Sequence, residues 1–80
     1  MKQELEAFIE TDDGLDRIHL VFEDGEYFGA WINDELLDYE AETFEAFLDE
    51  YGSLYYESKE DYKKGNNKFF QDWEIKNVKN

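Results

Sequence analysis

The sequence predicts an α+β fold: an antiparallel sheet of four to five strands with one amphipathic helix packed on one face. Three observations carry this expectation. Residues 15–32 hold two runs rich in Ile, Val, Phe, Tyr and Trp on either side of Asp24 and Gly25. Residues 2–11 largely alternate apolar and acidic side chains. Phe44, Phe47, Leu48 and Tyr51 fall at i, i+3, i+4 and i+7, the single apolar stripe of a surface helix. A length of 80 residues sets one small domain over residues 1–80. Folding a chain of this size buries only roughly 60% of the unfolded surface, so stability is marginal.

In the first strand, Leu5, Ala7 and Ile9 share one side and Glu4, Glu6 and Glu10 the other, with Phe8 the exception. Thr11, Asp12, Asp13 and Gly14 form a turn, and Gly14 supplies the permissive backbone. The hairpin over residues 15–32 is the clearest folding signal. A type I′ turn needs positive φ at both central residues, and Asp followed by Gly provides it. With a two-residue loop, Glu23 opposes Glu26, Phe22 opposes Tyr27, Leu20 opposes Gly29 and Ile18 opposes Trp31. Alternation then puts Ile18, Leu20, Phe22, Tyr27 and Trp31 on one face, and Arg17, His19, Val21, Phe28, Ala30 and Ile32 on the other. Both faces are partly apolar, which implies packing on each side. Asn33, Asp34 and Glu35 make a second turn, and residues 36–39 return as a short fourth strand.

Thr43 is the expected N-cap, and Gly52 the C-terminal glycine, of a helix over residues 44–51. Its apolar stripe is expected to pack on Ile18, Leu20 and Phe22. Residues 53–58 fit either a strand or an extended loop. Ser58 fits the cap of a short helical turn, and Gly65, Asn66 and Asn67 read as a turn. Phe69, Trp73 and Ile75 fit a closing strand, because Trp73 and Ile75 alternate with Asp72, Glu74 and Lys76. Phe69 and Phe70 with Trp73 would also suit a helical turn. These C-terminal aromatics are expected over the second hairpin face; an apolar face left uncovered would instead mark a dimer or partner interface.

Charge is the outlier. The chain has 22 Asp and Glu against 8 Lys and Arg, a net charge of −14. Residues 1–58 carry 18 of the acids and two bases, whereas residues 59–80 carry four acids and six bases. Aromatics make up 19% of the chain, unlike disordered acidic chains, which are poor in them. The expectation is a folded domain with a strongly negative surface. Such a surface repels phosphates, so direct binding to nucleic acid is not expected. No apolar run approaches the ~18 residues of a membrane span, so a membrane is not an expected partner either. The absence of cysteine fits a cytoplasmic setting.

Catalytic chemistry finds little support. Nucleophilic catalysis needs a Ser, Cys or Thr activated by a positioned base, and the only histidine, His19, lies in mid-strand and reads as structural. Carboxylate pairs are available by residue type, but so short a chain leaves little room for a concave pocket beside a core. An enzyme is not expected. Asp12, Asp13, Gly14 and Asp16 share part of a calcium-loop pattern but lack its alternate ligands and terminal glutamate, so neither a metal nor a cofactor is expected.

The remaining signal is the carboxylates. Glu4, Glu6 and Glu10 would form a row on one strand face, neighbours two apart being ~6.7 Å from each other at a rise of ~3.3–3.4 Å per residue. One strand of DNA carries a charge per ~3.4 Å, so such a row can approximate a phosphate backbone. Asp34, Glu35, Asp38, Glu40, Glu42, Glu45, Asp49 and Glu50 crowd the following turn and helix, with Tyr39 among them as an aromatic anchor. Self-repulsion on this scale costs stability with no evident folding benefit. These residues are therefore the expected contact surface for a basic, nucleic-acid-binding protein. In the plain alternative, acidity serves solubility and a partner or a second copy uses the apolar hairpin face or a strand edge.

The segments VFEDGEYFGAWINDELLDYE and TFEAFLDEYG carry a resemblance in character. In length, acid and aromatic content, lack of cysteine and order of elements, the chain resembles small phage-encoded inhibitors of DNA-binding enzymes. These include DNA-mimic anti-CRISPR proteins, antirestriction proteins and uracil-DNA glycosylase inhibitors. The resemblance lies in charge rather than motif, and it assigns no residue a role. It implies a non-enzymatic, stoichiometric inhibitor that occupies a basic DNA-binding cleft in a bacterial host.

Overall fold

Three tight turns fold the first part of the chain into an antiparallel meander. A computed structural model describes residues 1–36 and 43–79. Strands β1 (Lys2–Thr11), β2 (Gly14–Glu23), β3 (Glu26–Ile32) and β4 (Glu35–Leu36) lie in that order in one sheet. Gly14, at φ 114°, closes the first turn. Asp24 and Gly25, at φ 51° and 85°, form the expected two-residue turn, and Asn33 and Asp34 repeat it at φ 50° and 70°. Glu35 therefore leaves the turn and pairs with Ile32, while Leu36 pairs with Trp31. The rest of the expected fourth strand, residues 37–39, lies outside the described residues.

The hairpin register departs from the simple expectation at one point. Phe22 opposes Tyr27 as expected, but Val21 opposes Gly29, Leu20 opposes Ala30, His19 opposes Trp31 and Ile18 opposes Ile32. Phe28 is the extra residue of a β-bulge. One inserted residue reverses the facing of everything beyond it, because side chains alternate with a period of two. Ala30 and Ile32 consequently turn toward the core, and Trp31 turns away from it, opposite to the unbulged reading.

Helix α1 (Phe44–Tyr51) is capped as its sequence predicts. Thr43 Oγ1 accepts from the Ala46 N–H at 3.1 Å, and Gly52 follows at φ 89°. Strand β5 (Leu54–Tyr55) pairs with β6 (Lys68–Phe69), and Tyr56 exchanges two backbone hydrogen bonds of 2.8 Å with Phe8 of β1. Between them, α2 (Lys59–Lys64) starts at Ser58, whose Oγ accepts from the Asp61 N–H, and ends at Gly65 in the left-handed conformation. Residues 70–77 form α3 (Phe70–Asn77) in place of a closing strand. Phe70, Trp73, Glu74 and Val78 are the buried or half-buried positions of this segment, at helical spacing, whereas Ile75 is 60% exposed. The Trp73 and Ile75 alternation was a coincidence of composition.

Helices α1 and α3 pack on one face of the sheet, whereas α2 buries none of its residues and meets the end of β1 through Tyr62 and Glu10. Leu5, Ala7, Ile9, Ile18, Leu20, Phe22 and Ala30 meet Phe44 and Phe47 of α1, Tyr55 of β5 and Phe70 of α3 in one core. Trp73, Phe22, Phe44, Phe47, Phe70 and Tyr55 form a continuous chain of rings with centroids 4.8–6.4 Å apart, the spacing at which aromatic pairs attract. The helical stripe thus packs on Ile18, Leu20 and Phe22 as expected. Phe70 and Trp73 join that same face instead of covering the opposite one.

Candidate protein-binding surface

The opposite face of the sheet is built by alternation along β1, β2 and β3. It carries Glu4, Glu6, Phe8 and Glu10 from β1, Arg17, His19 and Val21 from β2, and Trp31 from β3. Among the described residues, α1 and α3 lie on the other face, and α2 reaches this one at Glu10 through Tyr62. The bulge adds Phe28, which is 62% exposed and stacks on Trp31 with centroids 6.3 Å apart and planes 16° from parallel. A Cβ placed at Gly29 would stand 3.7 Å from both the Trp31 ring and Leu36 Cδ1, so the ring and the Leu36 side chain lie against the glycine backbone. Leu36 is itself 62% exposed.

A cleft of about 220 Å³ opens beside this patch, between Phe28 and Trp31 on one side and Glu4 and His19 on the other. Lys2 and Val21, the latter only 2% exposed, also line it. His19 Nε2 lies 2.8 Å from Glu4 Oε1, and the imidazole tilts against Trp31 at 5.9 Å. Asp34 completes the acidic side and pairs with Arg17. The Arg17–Asp34 ion pair is solvent-exposed, a class worth only ~0–1 kcal/mol.

The carboxylates expected to bind a partner are divided by the fold. Glu4, Glu6 and Glu10 share the open face as the alternation requires. Glu10 accepts a hydrogen bond from the Tyr62 hydroxyl at 2.6 Å, which holds that phenol above its usual pKa. Glu6 is exposed and has no partner among the described residues. Glu45, Asp49 and Glu50 are exposed on α1, whose Phe44 and Phe47 face the core, so the sheet separates them from Glu4 and Glu6. Glu35 is exposed on β4 beside Asp34. Asp38, Tyr39, Glu40 and Glu42 lie outside the described residues.

Asp16 has a structural task at the sheet end. Its carboxylate accepts from Thr11 Oγ1 at 2.6 Å and from Asn33 Nδ2 at 3.0 Å, tying the first turn to the third. Those two hydrogen bonds, Thr11's the larger, hold its pKa below the ordinary carboxylate value. Asp12, Asp13 and Asp16 therefore belong to a turn in which the best-placed carboxylate is already occupied. No group of three His, Cys, Asp or Glu is arranged to hold a metal among the described residues.

Sequence reasoning placed Glu4, Glu6 and Glu10 correctly but missed Phe28, Trp31 and Leu36 as a surface. The signal was Gly29, since a glycine inside a strand often marks a bulge or a close approach. Among the described residues, no helix is long and apolar enough to cross a membrane. No protein-family model, no curated protein and no solved structure matches this chain.

Proposed function

We propose that this protein is a non-enzymatic inhibitor that presents an acidic surface to the basic nucleic-acid-binding cleft of a defence or DNA-processing protein. The observation that carries the reading is a net charge of −14 on a chain that nonetheless has a packed aromatic core. Glu4, Glu6 and Glu10 project from one strand onto the face opposite the core. Self-repulsion of this size opposes compaction, whereas a cationic partner turns it into fast, salt-sensitive association. The site of action is the cytoplasm of a bacterial host.

A tagged pull-down from bacterial lysate, washed at low and high salt with bound proteins identified by mass spectrometry, tests this. The expected result is a nuclease, glycosylase or polymerase that is displaced by duplex DNA and lost on joint reversal of Glu4, Glu6 and Glu10 to Lys. Salt-resistant capture of a protein without a basic cleft would end the mimicry reading. One observation favours a second reading, an assembly domain acidic only for solubility: Phe28 and Leu36 are each 62% exposed on the open face. That reading requires an association indifferent to salt.

A further inference from the structure

We infer that the cleft beside Phe28 and Trp31 is a docking site for an arginine side chain of a cationic protein partner. The inference rests on the proposal that the partner is basic, and it locates the contact and names the chemistry that makes it.

Two independent features of the cleft converge on a cation. The first is its aromatic side. The stacked Phe28 and Trp31 rings offer negative π faces that attract a guanidinium held above them. The second is its carboxylates. Glu4 and Asp34 outnumber Lys2 among the charged residues that line the same cleft; Arg17 is held to Asp34 by an exposed ion pair, and His19 to Glu4 by a hydrogen bond beside its ring contact with Trp31. A planar guanidinium can stack on an indole and donate to a carboxylate in fork geometry at the same time; a lysine ammonium can do only the point-charge part. Val21 supplies apolar surface for the aliphatic stem of the entering side chain.

Charge excludes the competing occupants. A phosphodiester or an anionic lipid surface would meet a molecule of net charge −14. A second copy would bring another −14 to the same face, and no described base there is uncommitted except Lys2, since Arg17 is paired with Asp34. An exposed aromatic patch of this kind marks an interaction surface, and complementarity makes its occupant a cationic protein.

The test is heteronuclear NMR of the labelled protein titrated with short capped peptides of arginine, lysine or glutamate, at about 50 mM and about 500 mM salt. The arginine peptide is expected to bind more tightly than the lysine peptide at both salts. Shifts should centre on the Trp31 indole N–H and the backbone of residues 19–21 and 28–31. Trp31→Ala should weaken the arginine peptide about ten-fold without loss of spectral dispersion. Phe28→Ser, at an exposed position, provides a second variant should Trp31→Ala perturb folding. Equal binding of arginine and lysine peptides, with shifts spread over Glu45, Asp49 and Glu50, would overturn the inference. So would concentration-dependent shifts of the free protein at Phe28 and Trp31, which would identify a second copy as the occupant. Failure here is separable from failure of the inhibitor proposal. If Trp31→Ala still captures a DNA-binding protein displaced by duplex DNA, the cleft assignment falls and the inhibitor survives. If the arginine peptide binds as described but no nucleic-acid-binding protein is captured, the reverse holds.

Discussion

Trp31 and Trp73 have the same side chain and opposite duties. Trp73 packs against Phe22 at 5.8 Å beneath the helices, while Trp31 lies on the open face against Phe28. Replacing Leu20, fully buried in the core, with Ala should cost ~2–5 kcal/mol, whereas Trp31→Ala should cost under ~1 kcal/mol. Urea unfolding of the two variants checks the contrast, and a Leu20→Ala loss below ~1 kcal/mol would reject the face assignment. Tyr27 provides a separate test. Burial, with a smaller contribution from Tyr51, pushes its phenol up to about 12, and its hydroxyl has no hydrogen-bond partner among the described residues. A folded pKa above the unfolded value near 10 means that the unfolded chain releases the proton first. Stability should therefore fall as pH rises from about 10 to about 12. Tyr27→Phe should flatten that part of the decline, because it removes the titrating group; an unchanged slope would show that Tyr27 is solvated.

At the scale of elements, the bulge at Phe28 decides what the hairpin displays. Ala30 is 1% exposed and faces Leu20, so Ala30→Asp should bury an unpaired charge and abolish folding at ambient temperature. In an unbulged hairpin the same carboxylate would sit at the surface with little effect, so circular dichroism of this one variant settles the register. The helices depend on local caps as much as on packing. Thr43→Ala and Ser58→Ala each remove a side-chain acceptor from a first-turn N–H and should each cost ~0.5–2 kcal/mol. The Thr43 variant is the more informative, because α1 contributes Phe44 and Phe47 to the core while α2 buries none of its residues. A loss at Ser58 equal to or larger than that at Thr43 would mean that α2 braces the fold through Tyr62 and its bond to Glu10.

For the whole molecule, charge opposes compaction. Screening shortens to ~3 Å at 1 M salt, so the urea midpoint should rise steadily with sodium chloride as repulsion among the acids is damped. A midpoint that falls instead would mean that ion pairs such as Arg17 with Asp34 and Lys68 with Glu57 outweigh the repulsion. The same repulsion opposes self-association, in line with the proposed partner of opposite charge.

The sequence by itself determined the elements with local causes. Asp24 with Gly25 makes its turn because of backbone sterics, Thr43 and Ser58 cap helices because their hydroxyls reach an N–H within one turn, and β1 alternates because one side meets water. It also determined that Glu4, Glu6 and Glu10 share a face. Tertiary structure decided the rest. Residues 72–76 alternate, while Phe69, Phe70 and Trp73 also suit a helical turn; the helix forms, and it lets Phe70 and Trp73 meet Phe47 and Phe22 on one side. Which residues of β3 join the core was decided by one extra residue, Phe28, marked in the sequence only by the neighbouring Gly29, and it reverses the facing of Ala30, Trp31 and Ile32. The surface proposed to bind a partner exists because of that reversal: a period of two makes facing a property of register, and register is fixed only when the strands pair.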